Sequence, residues 1–364
     1  MANRTPKAWL QFRSSATLTG LSPTEDSRRT SRSERMRAAY IARFGDPNGL
    51  EIRDVPEPHV PARHVLVRVR AAGLNRADLM QRAGKYPPPA DVPKEIPGME
   101  FAGEVVRSGE GATRWREGDR VFAIIGGGAQ AEYVSTHEDM LTSVPDRLSD
   151  VEAGAVPEVY ITAHDALIGL AGLKAGERVL IHAVASGVGL AAVQICRAWG
   201  AIPYGTSRTE AKLDRARSFG LEAGIALGSD LSSLVARVAA WTGGVGFDVV
   251  MDLVGGDYVS PSLETLAPRG RLMLVGTMAG SRASVDLRRI LGMRLTLRGT
   301  VLRGRSLQEK IAAMRAFTDE VVPRLANGTL AAVIDSTFPL EQIDAAYARL
   351  ESNTTIGKVV LTID

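Results

Sequence analysis

The sequence predicts an α/β protein in which a doubly wound parallel sheet is inserted into an irregular β barrel. One observation is the segment 178–189, where a short apolar strand passes through a glycine turn into a helix from about Gly187 to Trp199. Another is the alternation of strand-like and helix-like runs after this turn, which is typical of a doubly wound sheet. A third is a final strand-like run, 358–363, which has no partner in that sheet and predicts a return of the chain to the first domain.

The length of the chain sets the expected number of domains. At 364 residues it exceeds the size at which a single core stops growing, so we expect two domains. The expected division is a disordered leader at 1–35, the first part of the barrel at 36–156, the nucleotide-binding domain at 157–303 and the rest of the barrel at 304–364.

Composition indicates the cellular compartment in which the protein works. No apolar run approaches the length of a membrane-spanning helix, so no membrane partner is expected. The chain has one cysteine, Cys196, which allows no disulfide within the chain and favours a cytoplasmic protein. We expect Cys196 to be a small buried helix residue rather than a reactive thiol.

The leader is basic and carries no periodic pattern. Residues 1–35 hold seven Lys or Arg and three acids among many Ser and Thr, a composition typical of disorder. Two explanations stay open: a targeting peptide, or an upstream start codon with the working protein beginning at Met36, which we favour because a strand-like run begins there. The whole chain carries +3 and the leader +4, so the remainder carries −1 and nucleic-acid binding is not expected.

Strand signals dominate the part of the chain before residue 157. Gly, Pro and charged residues interrupt them, as in an irregular β barrel. Helix-like runs at 307–325 and 340–351 lie between the nucleotide-binding domain and the final strand. The predicted barrel strands are Ala38–Ala42, Leu50–Asp54, His64–Ala71, Ala102–Ser108, Arg120–Ala123 and Ala131–Val134.

Strands and helices alternate in the nucleotide-binding domain. Its helix-like runs lie at about 209–219, 231–241, 257–266 and 286–292. The sixth strand would lie at an edge of the sheet, and because exposed edges invite pairing we expect a homodimer formed through 294–300. The strand-like runs are Arg178–Ala183, Ala201–Thr206, Glu222–Leu227, Phe247–Val254, Arg271–Gly276 and Arg294–Thr300.

The glycine turn predicts a pyrophosphate site at the start of the helix. Helix N–H groups point at such a ligand, and glycine lets the backbone come close. The match to G-x-G-x-x-G is imperfect, since of its key positions the chain keeps the last glycine, Gly189, and has Ser186 at the middle one, with Gly187 as an additional small residue. We expect Ser186, Gly187, Val188 and Gly189 to bind the cofactor. The alternative is a glycine turn that binds nothing.

The end of the second strand favours NADPH as the cofactor. NAD-preferring folds carry an acid there, which bonds the ribose 2′-hydroxyl. This chain instead has Ser207 and Arg208, with Lys212 one turn into the next helix. A hydroxyl and two cations suit a 2′-phosphate. The alternative is that Arg208 and Lys212 form the solvated start of a helix.

Several segments resemble the medium-chain dehydrogenase/reductase superfamily, and the resemblance extends from Met36 to Asp364. It implies that the barrel is a GroES-like catalytic domain and that the inserted domain is a Rossmann fold. The matching segments are Val65–Leu79, Ile96–Val105, Glu117–Val121 and Ile356–Leu361.

Within the superfamily the chain is similar to the zeta-crystallin-like NADPH:quinone oxidoreductases. It resembles most the stress-inducible quinone reductase branch of that group. This implies hydride transfer from NADPH to a small quinone. The motifs that carry this resemblance are Asn75–Gln81, Gly84–Pro89, Gly126–Gln130 and Ser186–Gly189.

The zinc of many members of the superfamily is not expected here. Where those dehydrogenases carry their first zinc-binding cysteine, this chain has Asn75, and where they carry the histidine of a His-Glu pair it has Met99 before Glu100. Neither replacement is a good zinc ligand, and the five histidines share no ligand spacing. Because zinc stabilises an alkoxide, its loss disfavours alcohol oxidation, whereas reduction of a quinone needs mainly positioning.

The resemblance also implies roles around the cofactor. Lys212 matches a lysine that binds the 2′-phosphate, Thr162 matches a threonine beside the nicotinamide amide, and Lys358 matches a position near the cofactor edge. Gly276 and Thr277 end a strand whose carboxyl edge faces the cofactor. The alternative for Thr162 is a hydroxyl at a helix start.

The acceptor is expected to bind beside the loop that begins at Asn75. We expect Asn75, Tyr86 and Asp78, which flank this loop, to be the catalytic residues. By resemblance Asn75 and Tyr86 line the quinone site, and an amide and a phenol can both donate to an oxygen that gains negative charge. Met80 stands where some relatives have a second tyrosine, so we expect a more apolar pocket. Alternatively, Asn75 caps a helix and Tyr86 packs before three prolines. The turn 126–130 is expected to shape the pocket floor or to be a plain barrel turn.

The favoured function is zinc-independent, NADPH-dependent reduction of a quinone or similar conjugated carbonyl, with the product oxygen protonated by water or Tyr86. Reduction of an enoyl thioester or enone needs the same fold and is the alternative enzyme function. A crystallin-like, non-catalytic protein that binds NADPH or RNA is the alternative of another class. The glycine turn and Lys212 favour an enzyme, and the charge of −1 disfavours RNA binding.

Overall fold

The computed structural model describes residues 35–228 and 231–364. The predicted leader, 1–35, lies outside the described residues except for Arg35, which begins the first strand. Arg35–Asp364 forms one compact unit. In this part of the chain, no helix has the length and apolar character needed to cross a bilayer.

The barrel is built around one apolar strand, β3, which pairs antiparallel with both β4 and β6. Val65, Val67 and Val69 of β3 are fully buried because their side chains pack into the apolar core of the barrel. β1 and β2 form a separate antiparallel pair. The strands of this part are β1 (Arg35–Ile41), β2 (Leu50–Pro56), β3 (His64–Gly73), β4 (Glu100–Ser108), β5 (Arg120–Ile124), β6 (Tyr133–His137) and β7 (Thr142–Ser143).

The nucleotide-binding sheet is parallel throughout, in the order β10-β9-β8-β11-β12-β13. This is the order of a doubly wound Rossmann sheet. Successive strands are added outward from β8 to β10, and after the chain crosses back to β11 beside β8, they are added toward the other edge. β13 lies at an edge, as predicted. The strands are β8 (Arg178–Ile181), β9 (Ile202–Ser207), β10 (Ala223–Ala226), β11 (Phe247–Asp252), β12 (Leu266–Leu274) and β13 (Thr296–Gly299).

The last strand returns to the barrel, so the Rossmann sheet is inserted between two parts of it. β15 (Lys358–Thr362) pairs antiparallel with β3, with Val360 opposite Gly73. It also pairs with β14 (Ile334–Pro339), a parallel strand that the sequence did not predict. The predicted fold class, a GroES-like barrel with an inserted doubly wound sheet, is confirmed.

The helix predicted at 307–325 divides in two. A turn of π-helix at Phe317–Val321 separates its halves. Pro323 lies just after this turn and cannot donate a backbone hydrogen bond, which disrupts the regular helical pattern. The helices are α1 (Arg76–Arg82), α2 (Asp150–Gly154), α3 (Pro157–His164), α4 (Gly187–Ala198), α5 (Glu210–Arg217), α6 (Ser232–Thr242), α7 (Val259–Glu264), α8 (Leu287–Met293), α9 (Leu307–Ala316), α10 (Val322–Ala326) and α11 (Ile343–Glu351).

One apolar core runs through both folds. Phe122 of β5 meets Phe317 edge to face with ring centroids 5.6 Å apart, and both belong to the cluster that holds Leu190 of α4. Cys196 lies in the same core, where burial raises the pKa of its thiol and keeps it unreactive. Because the barrel and the Rossmann sheet share this core, packing does not mark where one domain ends and the other begins. The expected domain boundaries at 157 and 303 stay predictions.

Candidate active site

A cavity of about 1040 Å³ opens between the barrel and the carboxyl ends of the Rossmann strands. Asp78 and Gly189 are the two predicted site residues that do not line it. The predicted residues that do line it are Asn75, Tyr86, Thr162, Ser186, Gly187, Val188, Ser207, Arg208, Lys212, Gly276, Thr277 and Lys358.

The predicted phosphate turn lies at the start of α4. Ser186 is the N-cap residue, and its Oγ accepts a hydrogen bond from the backbone N–H of Gly189 at 3.1 Å. Gly187 and Val188 begin the helix, where backbone N–H groups have no carbonyl partner in the helix. Ala183 adopts a left-handed conformation with φ 51°. It directly precedes Val184, which stands where the nucleotide-binding motif, aligned on Gly189, has its first glycine. The turn thus presents unbonded donors to the cavity.

Two glycines of the turn are required for close packing, and Gly187 also lines the cavity. A Cβ on Gly189 would lie 2.5 Å from the carbonyl oxygen of Val184, so glycine lets the helix approach the end of β8. A Cβ on Gly187 would lie 2.8 Å from Cδ of Lys358. Gly189 is buried beneath the turn because the helix must pack closely there, and its contact with the cofactor stays a prediction.

The phosphate turn is joined to the chain that leads into β15. Ser186 forms an isolated parallel bridge with Gly357. The backbone N–H of Gly357 donates to the carbonyl oxygen of Ala185 at 3.2 Å. Gly357 has φ 91°, and a Cβ there would lie 2.3 Å from the carbonyl oxygen of Val333, so only glycine fits this crossing.

Three cations line the wall beside the end of β9. Arg208 and Lys212 each donate to the carbonyl oxygen of Asn353 at 2.7 Å, and Ser207 lies buried at the strand end. Burial lowers the pKa of Lys212, and the charges of Arg208 and Arg76 lower it further. In the part of the chain that the structure describes, the guanidinium of Arg76 has no hydrogen bond or ion pair. Crowded cations of this kind favour binding of an anion.

The opposite side of the predicted cofactor path is made by α3 and the end of β12. The Thr162 hydroxyl donates to Oε1 of Glu158 at 3.4 Å. Gly276 and Thr277 come after β12 and line the cavity. A Cβ on Gly276 would lie 2.5 Å from the carbonyl oxygen of Leu253, so glycine allows these two chain segments to approach.

Lys358 is buried, and its ammonium group has three oxygen partners. Its Nζ donates to Oδ1 of Asn75 at 2.6 Å and to the carbonyl oxygen of Leu74 at 2.7 Å, and lies 2.5 Å from Oε1 of Glu100. Nδ2 of Asn75 donates to the same Glu100 oxygen at 3.0 Å. Asn75 therefore holds the lysine and the carboxylate together at the cavity wall.

This arrangement does not fit a catalytic zinc. Oδ1 of Asn75 and Oε1 of Glu100 are already held by the ammonium of Lys358, and Oε2 of Glu100 accepts from the backbone N–H of Glu158. Met99 offers a thioether in place of an imidazole. Among residues 35–228 and 231–364, no three His, Cys, Asp or Glu side chains gather in a way that could hold a metal ion.

Asp78 supports the site from behind the cavity wall. Its Oδ2 accepts from the backbone N–H of Asn75 at 2.8 Å and its Oδ1 from that of Gly98 at 3.1 Å. Burial raises its pKa to about 6. Asn75 occupies the N-cap position of α1, while its side chain bonds Glu100 and Lys358 at the cavity wall. These backbone bonds hold Asp78 inside the protein, behind the residues that line the cavity, and its role at the acceptor stays a prediction.

Tyr86 is the phenol of the cavity wall. The guanidinium carbon of Arg303 lies 5.0 Å from its ring centroid. Arg303 itself is buried and donates to the carbonyl oxygen of Gly126 at 2.7 Å and to Oε1 of Gln81 at 2.5 Å. Burial raises the pKa of Tyr86. Within the described residues its hydroxyl has no hydrogen-bond partner, so it is free to donate to a ligand.

The turn 126–130 does not form the pocket floor. None of its residues lines the cavity. Gly126 instead fixes Arg303, and Gln130 accepts from the hydroxyl of Tyr347 at 2.9 Å. The turn acts on the site through Arg303, since its own backbone is covered.

Sequence reasoning missed four residues of the site: Arg76, Glu158, Arg303 and Asn353. Arg76 adjoins Asn75 in a matched motif, which was a usable signal. Glu158 lies four residues before Thr162, one helical turn away, and a carboxyl group there was a second signal. Nothing local marks Arg303 or Asn353, because their partners are distant in the sequence.

Two family models match the chain. The model described as "Alcohol dehydrogenase GroES-like domain" covers residues 61–146, and the one described as "Zinc-binding dehydrogenase" covers residues 187–320. The first range corresponds to most of the barrel strands, and the second to most of the Rossmann sheet together with α9.

Relatives of full length carry the name quinone oxidoreductase. The protein from Pseudomonas aeruginosa is 34% identical over 88% of this chain and 98% of its own length, and the human protein is 30% identical over 90% and 98%. The pikromycin polyketide synthase component PikAII of Streptomyces venezuelae is 33% identical over 85% of this chain. The chain spans 8% of that much longer protein.

Solved structures share the fold. A mycobacterial protein complexed with NADPH superposes with a TM-score of 0.81 at 29% identity, over 90% of this chain and 99% of that one. The enoyl reductase of CurK superposes with a TM-score of 0.79 at 26% identity, over 91% and 100%. By these relatives and this fold, the chain belongs to the medium-chain dehydrogenase/reductase superfamily and is an oxidoreductase that uses a nicotinamide cofactor.

Proposed function

We propose that the protein is a zinc-independent, NADPH-dependent quinone reductase. The observation that carries this proposal is a single cavity lined by Arg76, Arg208 and Lys212, by the amino end of α4 and by the free hydroxyl of Tyr86. The first two features suit a phosphorylated dinucleotide and the third suits a carbonyl acceptor.

The geometry of the cavity supports a set of residues that would hold the cofactor. Ser186 and the N–H groups of Gly187 and Val188 would bind the diphosphate, since they lie at the positive end of the helix dipole. The three cations would bind the 2′-phosphate, with Ser207 beside them. Thr162, Gly276 and Thr277 would border the nicotinamide. When bound, NADPH supplies a hydride.

The acceptor would bind against Tyr86. A quinone oxygen gains negative charge as it is reduced, and the phenol can donate to it without changing its own protonation state. Nδ2 of Asn75 already donates to Glu100, so its role is to fix Lys358 rather than to bind the acceptor. Lys358 keeps the wall rigid, and no zinc is required at Asn75 and Glu100.

One assay tests the proposal. Oxidation of NADPH is followed with an ortho-quinone, a para-quinone and crotonyl-CoA, each with NADH as the matched control and each after dialysis against a chelator. We expect reduction of at least one quinone, faster with NADPH than with NADH and insensitive to chelation. Failure to oxidise either dinucleotide with any quinone would contradict the proposal.

Enoyl reduction is the second candidate function. Met80 lines the cavity together with Met99 and Ile125, which makes the wall near Tyr86 apolar. The structural similarity to an enoyl reductase also supports it. In the same assay, oxidation of NADPH with crotonyl-CoA and not with quinones would favour this function.

A homodimer through β13 is also proposed. All four residues of β13 are exposed, and so are Leu287 and Leu291 of α8, at 65% and 76%. Leu297 of β13 itself is 45% exposed. An exposed edge strand next to apolar side chains fits the same edge of a second copy related by a two-fold axis.

A further inference from the structure

Three carboxyl groups gather around one ammonium behind and within the cavity wall. Asp78 of α1, Glu100 of β4 and Glu158 of α3 all interact electrostatically with Lys358 of β15. Arg303 adds a second positive charge on the side of Asp78. Three negative charges so close together are costly in a buried site, which favours retention of a proton on one of them.

Two of the carboxyl groups are bonded as carboxylates. Glu100 accepts from Lys358 at 2.5 Å and from Asn75 at 3.0 Å with one oxygen, and from the backbone N–H of Glu158 at 2.8 Å with the other. Asp78 accepts two backbone N–H bonds. Donors aimed at a carboxyl oxygen stabilise its ionised form.

Glu158 is bonded differently. Within the described residues its carboxyl group has one hydrogen-bond partner, the Thr162 hydroxyl at 3.4 Å, and no ion pair. It is the carboxyl group of the three that lines the cavity. Burial, together with the charges of Glu100 and Asp78, raises its pKa to about 7 against the opposing effect of Lys358. The proton of the cluster therefore resides on Glu158 near neutral pH.

We propose that Glu158 is the acid that delivers the proton to the reduced acceptor. This inference rests on the proposed reductase function and adds a catalytic residue to it. After the acceptor has received the hydride, its carbonyl oxygen carries a negative charge. The O–H bond of Glu158 then breaks and an O–H bond forms on the acceptor, which leaves a carboxylate that regains its proton from water.

With Glu158 as the acid, Tyr86 and Glu158 have different roles at the acceptor. Burial raises the pKa of Tyr86, and the nearby Glu158 raises it further against the effect of Arg303. A phenol in this state donates a hydrogen bond but gives up its proton poorly at neutral pH. An acid with a pKa near the working pH transfers a proton more efficiently, so Tyr86 orients the acceptor and Glu158 protonates it.

The test uses Glu158→Gln and Glu158→Asp in the full chain, with the exposed Glu117→Gln as control. For the wild type we expect kcat to decline as pH rises above about 7, because the acid form is lost. Glu158→Gln should lower kcat about a hundredfold and abolish this decline. Glu158→Asp should restore the decline at a reduced rate, and Glu117→Gln should match the wild type.

Two measurements do not depend on turnover. NADPH binding by fluorescence should be equal in all four proteins, which shows that the variants fold. At pH 7, where Asp78 with its pKa of about 6 is mostly ionised, the infrared spectrum of the ligand-free wild type should show a protonated carboxyl band that is absent from the spectrum of Glu158→Gln.

The proposal is overturned if Glu158→Gln keeps the wild-type pH profile and rate, or if the infrared band persists in that variant. Absence of quinone and enone reduction in the wild type, with the infrared band present, would instead remove the reductase function.

Discussion

The ammonium of Lys358 lies 2.5 Å from the carboxylate of Glu100, and neither side chain is more than 5% exposed. A buried pair of this kind is strongly destabilised when one partner is removed, because the other is left charged and unpaired. Lys358→Met should therefore lower the free energy of unfolding by about 3–5 kcal/mol. Urea denaturation measures the change.

The double variant Lys358→Met/Glu100→Gln is the control for that measurement. It removes the unpaired charge, so it should recover part of the stability lost in the single variant. Equal stability of the single and double variants would show that the charge of Glu100 is not the cause.

Removal of one of the cations that line the cavity near the end of β9 should discriminate between the cofactors. Lys212→Ala and Arg76→Ala should each raise KM for NADPH about 30-fold, equivalent to about 2 kcal/mol, because each removes a charge that would contact the 2′-phosphate. KM for NADH should stay unchanged. The exposed Lys174→Ala serves as the control. A parallel rise in KM for both cofactors would contradict the role in the 2′-phosphate site.

The hydroxyl of Tyr86 should matter for turnover and not for cofactor affinity. Tyr86→Phe should lower kcat for quinone reduction about a hundredfold, since it removes a donor aimed at developing charge. The cation–π contact with Arg303 is kept, because the ring remains. Steady-state kinetics at saturating NADPH measure the change, and unchanged turnover would show that the phenol is dispensable.

His182 should make the fold sensitive to acid. Its ring nitrogens bond the hydroxyls of Thr206 at 2.9 Å and Ser262 at 2.8 Å, and burial lowers its pKa to about 4 from an ordinary 6.5. The neutral ring is therefore favoured in the folded state. Its contribution is complete above pH 6.5 and is lost as pH falls from 6.5 to about 4, which amounts to about 3 kcal/mol.

The measurement is the slope of unfolding free energy against pH. Asp78 and Glu158 have raised pKa values, so their contributions are lost as pH rises and oppose that of His182. The contributions of Asp78 and Glu158 are the same in the wild type and in His182→Gln, so the difference between the two proteins reports His182 alone. The wild type should lose more stability than the variant between pH 6.5 and pH 4.5, and equal slopes would exclude the buried imidazole as the cause.

The edge of the Rossmann sheet should control the oligomeric state. Sedimentation or light scattering should give twice the chain mass for the wild type at micromolar concentration. Leu297→Glu should give the single-chain mass, because a charge at the strand edge prevents pairing. Val245→Glu, at another exposed apolar residue, is the control. A wild-type protein of single-chain mass would contradict the dimer.

The sequence predicted what depends on short segments. The turn at Ser186–Gly189, the missing acid near Ser207 and the edge position of β13 are all visible in local patterns. Arg303 was not predictable because its partner Gly126 is 177 positions away, and Glu158 was not recognised because its character depends on Glu100 and Asp78. Strand β14 was missed since its residues are only partly buried and show no clear alternation.

The bridge between Ser186 and Gly357 has a consequence for how the cleft can move. It ties the chain entering β15, a barrel strand, to the turn that would carry the diphosphate. A large hinge rotation between the barrel and the Rossmann domain would have to break this β-bridge and also expose the apolar core that the two domains share. We therefore expect the ligand to enter the cavity from its open side while the two domains keep their positions. Binding of a dinucleotide at the turn should slow amide hydrogen exchange as far away as the C-terminal strand.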